Sequence, residues 1–283
     1  MKDHLDHFRG NGYVVLHEVL SSEDIARVND GIDADRAEHP DAWKMGPRPG
    51  FNALSNVGID LMNRTDAVDH IVHHPGVIPL VKAILGEGCQ CSGLSYIQRE
   101  PCLVDPPEDI DGGDPLALSR NWHREDSGSV VGADMNDYYA PSIQVIFCLD
   151  DVDEGNHCTS VIPESADTKR SLPKTTDDHP RIDDRDTGYL DPDKPTWKDS
   201  FGREFGRRVG RVDVHGKAGT ALVFNNASWH TASIRKTERI RRAVHVRYRQ
   251  PDPVTSSHGV DPPYKSVAEF QAALPKRASI GAI

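Results

Sequence analysis

GTALVFNNASWHTAS (residues 219–233) carries an apolar run that opens at Gly219, followed by a histidine, His230, directly after Trp229. Val, Leu and Phe in a short run bounded by glycine and asparagine read as a strand, with His230 at its edge. Runs of the same kind recur from residue 89 onward: SGLSYIQRE (92–100), SIQVIFCL (142–149), TSVI (159–162), GRVDVHG (210–216) and AVHVRYRQ (243–250). Short strands at these intervals, separated by polar segments, make this half of the chain mainly β.

The stretch before residue 89 reads differently. MKDHLDHFRGNGYVVL predicts a short helix ended near Gly10 and Gly12 and then a β-rich run. LSSEDIARVNDGIDADRAEH offers Ser21 or Ser22 as an N-cap, acids in the first turn, and Ile25, Val28 and Ile32 at helical spacing. PGVIPLVKAILGEG (75–88) predicts another helix, with proline at its start and glycine at its end. The expected organisation is one domain over 1–283: flanking helices over about 1–88, a β core over about 89–250 and a tail over 251–283 in which YKSVAEFQAALPKR forms a closing helix. Two polar stretches rich in Asp, Pro and Gly, about 103–120 and 164–208, are long enough to serve as lids.

Composition narrows the function. A formal charge of -11 over 283 residues opposes binding to nucleic acid or to an anionic membrane, which leaves a small molecule as the expected partner. Five cysteines without a C-x-x-C pair fit free thiols in a reducing compartment. Neither a signal peptide nor a membrane-spanning run is visible, so a cytoplasmic setting is expected.

NWHREDSG (121–128) supplies candidate metal ligands. His123 and Glu125 lie two residues apart and share a face on an extended backbone, whereas Asp126 points to the other unless a local turn brings it round. His230 is the best third ligand, since like His123 it follows a tryptophan at a strand edge. Two histidines and a carboxylate on one side of a metal leave the opposite positions open, as in non-haem Fe(II) oxygenases, although zinc hydrolases draw on the same ligand types. Arg241 discriminates between them: it falls eleven residues after His230, where an antiparallel return strand brings it beside the metal. Its guanidinium suits one carboxylate of a dicarboxylate cosubstrate that chelates iron at its other end.

The combination of WHRE around His123, LDDVDEGNHCTSVIPES (149–165), GTALVFNNASWH (219–230) and the Arg241 spacing resembles the phytanoyl-CoA dioxygenase family of Fe(II)/2-oxoglutarate oxygenases over roughly residues 5–250. The resemblance implies a double-stranded β-helix core, a cupin-like jelly roll, with iron at its open end. It implies His123, Glu125 and His230 as ligands, Arg241 on the distal carboxylate of 2-oxoglutarate, and oxidation by O2 with release of succinate and CO2. Two positions depart from the family. Its carboxylate ligand is usually Asp, and Glu125 stands here; a hydroxyl common two residues past the distal histidine is replaced by Ala232, with Thr231 and Ser233 on either side as the expected cosubstrate contacts. Tyr96 and Gln98, alternating on a strand before the metal turn, are further candidates for the cosubstrate or substrate.

Blander readings stand beside these. His123 and Glu125 also suit a charged surface turn, Trp122 and Trp229 suit packing, and Arg203, Arg207, Arg208 and Arg211 suit a solvated face. His157 and Cys158 lack a further cysteine at ligand spacing and read as core or loop. At the level of function the competitors are a catalytically silent jelly roll that binds a ligand, and a metal-dependent hydrolase, which has no use for Arg241.

Overall fold

The computed structural model describes residues 1–45, 53–57, 61, 64–106, 123, 125, 140, 142–163, 165–167, 197–198, 204–205 and 211–250. Most of both expected lids, the expected C-terminal helix, Trp122, Asp126, Arg203, Arg207 and Arg208 lie outside these residues.

Helix α1 (Lys2–Asn11) ends where Gly12 turns left-handed at φ 79 and its N–H bonds back to the Phe8 carbonyl. Helix α2 (Ser22–Glu38) starts from a capping box: the Asp24 N–H donates to Ser21 Oγ while the Ser21 N–H donates to the Asp24 carboxylate. Such a cap contributes about 1 kcal/mol. Val28 and Ile32 then lie on its buried face. Further on, the helix Ile78–Leu85 buries Leu80, Val81 and Leu85, with proline in its first turn and Gly86 beyond its end.

Among the described residues the strands form two larger antiparallel sheets and a two-stranded ribbon. The larger has the order β1 (Tyr13–Leu16), β10 (Ala221–Asn225), β5 (Ser142–Cys148), β12 (Arg241–Arg249), β4 (Gln90–Arg99), β3 (Ala53–Val57) and β2 (Lys44–Met45). The smaller has the order β11 (His230–Ser233), β6 (Cys158–Val161) and β9 (Val212–Val214). A short ribbon of β7 (Trp197–Lys198) and β8 (Glu204–Phe205) stands apart from both in pairing. Strands β2 and β3 extend the larger sheet in a stretch where the sequence pattern had predicted no strand.

Both faces of the larger sheet are covered, which is why β5 and β10 are buried at every position and read as continuous apolar runs. One face packs on the helices: Val145, Phe147, Val223, Val244 and Val246 join Phe8, Val28, Ile32 and Val81 in one core. The opposite face meets the smaller sheet through Ile146, Leu222, Phe224 and Ala243 against Val161 and Val214. Alternation along each strand therefore sorts residues between a helix-covered layer and the space between the sheets.

Gly219 fixes the approach of the chain between β1 and α2. At φ 91 its carbonyl accepts the N–H groups of Val19 and Leu20, and a Cβ there would lie 2.4 Å from the Leu20 carbonyl oxygen. Only glycine meets both demands. All five cysteines are buried free thiols. Among the described residues, no helix is long and apolar enough to cross a membrane.

Candidate metal centre

The turn between β10 and β11 is the base of the site. The Asn225 side chain accepts the Ala227 N–H at 2.9 Å, the Asn226 amide donates to Ser142 Oγ at 2.6 Å, and the Trp229 N–H donates to Ser165 Oγ at 2.8 Å. His123 and Glu125 dock on this turn through their backbones. His123 exchanges two 3.0 Å hydrogen bonds with His230, and the Glu125 N–H donates to the Asn226 carbonyl at 2.9 Å. Residues 107 positions apart in sequence thus come within one ladder rung.

This pairing brings one potential ligand atom from each of His123, Glu125 and His230 within 4.8 Å of the others. His123 Nε2 and Glu125 Oε1 are 3.5 Å apart, close to the roughly 3 Å expected of two ligands on ~2.1 Å bonds at right angles. His230 Nδ1 lies 3.0 Å from the Ser228 carbonyl, which can only accept, so the proton sits on Nδ1 and Nε2 keeps its lone pair. Burial, helped by the charge of His123, pushes the His230 pKa down to about 3, so the ring is neutral as a ligand must be. For Glu125, burial alone would favour the neutral acid. The hydrogen bond to His123 and the charge of Arg247 outweigh it and hold the carboxyl well below the usual range. Two histidines and one carboxylate fit a divalent metal held on one side.

The triad opens into a cavity of about 300 Å³ between the sheets. Arg241, 4% exposed, lines it from β12, with Nη2 donating to Thr159 Oγ1 at 3.0 Å. Its Nε is buried and has no partner among the described residues. His245, four positions further on and on the same face, accepts from the Gln144 amide on Nδ1 at 2.9 Å, which leaves a proton on Nε2. That nitrogen is likewise covered and has no partner among the described residues. Burial and the charges of Arg241 and Arg99 hold His245 at about 3, so it is a neutral donor. A guanidinium and an imidazole N–H, both covered and short of acceptors, suit an anionic, oxygen-rich guest such as an oxo-diacid.

The phytanoyl-CoA dioxygenase (PhyH) family model matches residues 8–243. The chain belongs to this family. Membership makes it a non-haem oxygenase dependent on Fe(II), 2-oxoglutarate and O2. Solved structures agree in fold. The non-haem α-ketoglutarate-dependent carbocyclase SnoK from nogalamycin biosynthesis superposes with a TM-score of 0.58 at 16% identity, over 89% of this chain and 85% of its own. The epimerase SnoN in complex with Fe3+, α-ketoglutarate and nogalamycin RO gives 0.57 at 15%, over 88% and 83%. HygX from Streptomyces hygroscopicus with nickel, 2-oxoglutarate and hygromycin B gives 0.53 at 15%, over 89% and 88%. A search of curated proteins finds no significant match. The jelly-roll core expected of a PhyH member is therefore the fold observed.

Three expected cosubstrate contacts of this PhyH chain are elsewhere. Tyr96 and Gln98 occupy the helix-covered face of β4: Tyr96 packs edge-on against Trp43, and Gln98 donates to Glu100 at 2.7 Å. Their neighbours Ser95, Ile97 and Arg99 line the cavity instead. Ser233 is the third; its hydroxyl meets Ser160, which bonds Asp213 on the side of β6 away from Thr159 and the cavity. Thr231 borders the cavity with a buried hydroxyl that has no partner among the described residues, and Ala232 lines it as well. Arg242, the neighbour of Arg241, faces the helix side and pairs with Asp150 at 2.8 Å.

Other candidates resolve into structural roles. His157 is a satisfied buried histidine: Nε2 donates to the Glu100 carbonyl at 3.0 Å and Nδ1 accepts the Arg235 N–H at 3.0 Å. Trp229 is buried in packing at 2% exposed. Cys158, Asp213 and His215 also cluster at ligand spacing, yet the Asp213 carboxylate is engaged by Arg211 and Arg235, each at 2.7 Å, so two cations already stand where a metal ion would. Sequence reasoning missed Arg99, Gln144, His245 and Arg247, all on cavity walls. Period two from Arg241 points to His245 and Arg247, and that signal was present in RRAVHVRYR.

Proposed function

We propose that this enzyme hydroxylates or otherwise oxidises a small organic molecule in natural-product biosynthesis, with His123, Glu125 and His230 as the iron ligands and Arg241 on the distal carboxylate of 2-oxoglutarate. The observation that supports this most is that the three ligand atoms and the Arg241 guanidinium share one cavity wall system. The cavity's volume of about 300 Å³ suits a small guest. The titles of the similar structures, which name nogalamycin RO and hygromycin B, favour a tailoring role. The free thiols of the five cysteines favour a reducing, cytoplasmic setting.

Iron with 2-oxoglutarate, when bound, supplies the oxidising chemistry and releases succinate and CO2. The chain's own residues do the rest. Arg241, braced by Thr159, would hold the diacid through its far carboxylate, and the His245 N–H, its tautomer fixed by Gln144, would donate to a carboxylate oxygen of the same guest. Ile97 and Ile146 line the walls and keep water scarce around the reacting atoms. Neutral His230 and ionised Glu125 present lone pairs without first losing protons.

The test is a screen for substrate-stimulated succinate release across a metabolite library, with Fe(II) and 2-oxoglutarate supplied. A hit that disappears in His123→Ala supports the reading. Succinate release that persists undiminished in His123→Ala would refute the ligand assignment.

A further inference from the structure

The Glu125 carboxylate is split between two partners. Oε1 lies 3.5 Å from His123 Nε2, on the metal side, while Oε2 accepts from Arg247 Nη2 at 2.9 Å. Arg247 reaches it from the inward face of β12, six positions beyond Arg241, in a strand paired on both sides with β4 and β5. Its side chain is only 15% exposed, so this ion pair is shielded far more than a surface pair. The Glu125 backbone is anchored separately, by its N–H on the Asn226 carbonyl. What remains free is a side chain with three rotatable torsions, long enough to turn both oxygens toward a metal.

We propose that Arg247 is a positioning residue that keeps Glu125 a one-oxygen ligand. The inference rests on the metal site proposed above. Octahedral coordination offers six positions. Two histidines and one carboxylate oxygen take three, and a chelating cosubstrate takes two more, which leaves one open. A carboxylate that closes on the metal through both oxygens fills that last position. Arg247 prevents this by occupying Oε2 with a charge-assisted hydrogen bond, which an arginine on a strand central to the sheet holds in fixed direction. A glutamate is thereby given the restricted reach of a shorter acid.

The test uses Mn(II), which needs no oxidant and reports its bound water through the relaxation of solvent protons. Mn(II) binding to the wild type that is lost in His123→Ala establishes the metal site itself; binding that ignores His123→Ala overturns that site and this proposal with it. In Arg247→Gln, and in Arg247→Met, which keeps the aliphatic stem should the first variant fold poorly, Mn(II) still binds. Water relaxation per bound ion falls by about one third, as three water positions become two. Adding Glu125→Asp to either variant restores it, because the shorter acid no longer closes on the ion. Unchanged relaxation in both Arg247 variants overturns the proposal, and so does outright loss of Mn(II), which would make Arg247 a determinant of affinity instead.

Discussion

Replacing Arg241 with methionine keeps the buried stem and removes the guanidinium. The side chain is 4% exposed, Nη2 is held by Thr159 Oγ1 at 3.0 Å, and Nε is without a partner among the described residues, so the head group is pre-aimed and buried. Removing one partner of such a charge pair costs about 2–5 kcal/mol. At about 1.4 kcal/mol per factor of ten, 2-oxoglutarate should bind between about 30-fold and a few thousand-fold more weakly. Calorimetric titration of 2-oxoglutarate into Mn(II)-loaded protein reads this directly, with Mn(II) affinity as the control for an intact triad. Arg241→Lys, which keeps charge but not the planar fork, should fall between the two. A shift below about threefold in Arg241→Met, with metal binding intact, would show that the carboxylate goes elsewhere.

Three further outcomes follow from particular contacts. Tyr96→Phe should leave 2-oxoglutarate affinity within about twofold of wild type in the same titration, because Tyr96 packs on Trp43 in the helix-covered layer. Gly219→Ala should cost at least about 2 kcal/mol in denaturant unfolding, since it combines a left-handed φ of 91 with a Cβ 2.4 Å from the Leu20 carbonyl oxygen. Asp213 is held at about 2: burial opposes ionisation, and the bonds to Arg211 and Ser160 outweigh it. Its folded value lies below the unfolded one, so its stabilisation is present above about pH 4 and is lost as pH falls toward 2. Asp213→Asn should therefore lower stability by about 1–2 kcal/mol at neutral pH and flatten the acid limb of the unfolding profile.

Much of this architecture is legible in the sequence because the strands obey period two and the helices carry their own punctuation. Ser21, Gly12 and Gly86 mark helix ends by local hydrogen bonding and backbone freedom, which depend on few distant residues. His123, Glu125 and His230 are legible as a set because parity on a short extended segment and the strand edge at Trp229 both point inward. Tyr96 and Gln98 were misread for a physical reason. Alternation says which residues share a face, and on a sheet covered by helices on one side and a cavity on the other, polarity does not say which face is which. Arg242 and Gln98 lie on the helix layer, whereas Arg99 and Arg241 lie on the cavity side. Ser233 lies three positions from His230 along β11, where its hydroxyl turns to Ser160 and not to the cavity. Period two places Arg247 on the cavity side, but no local pattern encodes its meeting with Glu125, 122 residues earlier.

In the proposed site, His123, Glu125 and His230 hold iron beside a 2-oxoglutarate anchored by Arg241. Mixing the protein anaerobically with Fe(II) and 2-oxoglutarate tests it most directly. A weak visible charge-transfer band should appear, vanish in His230→Ala, and require far more 2-oxoglutarate in Arg241→Met. Iron that binds tightly with no such band, or a band that survives in His230→Ala, would contradict the account.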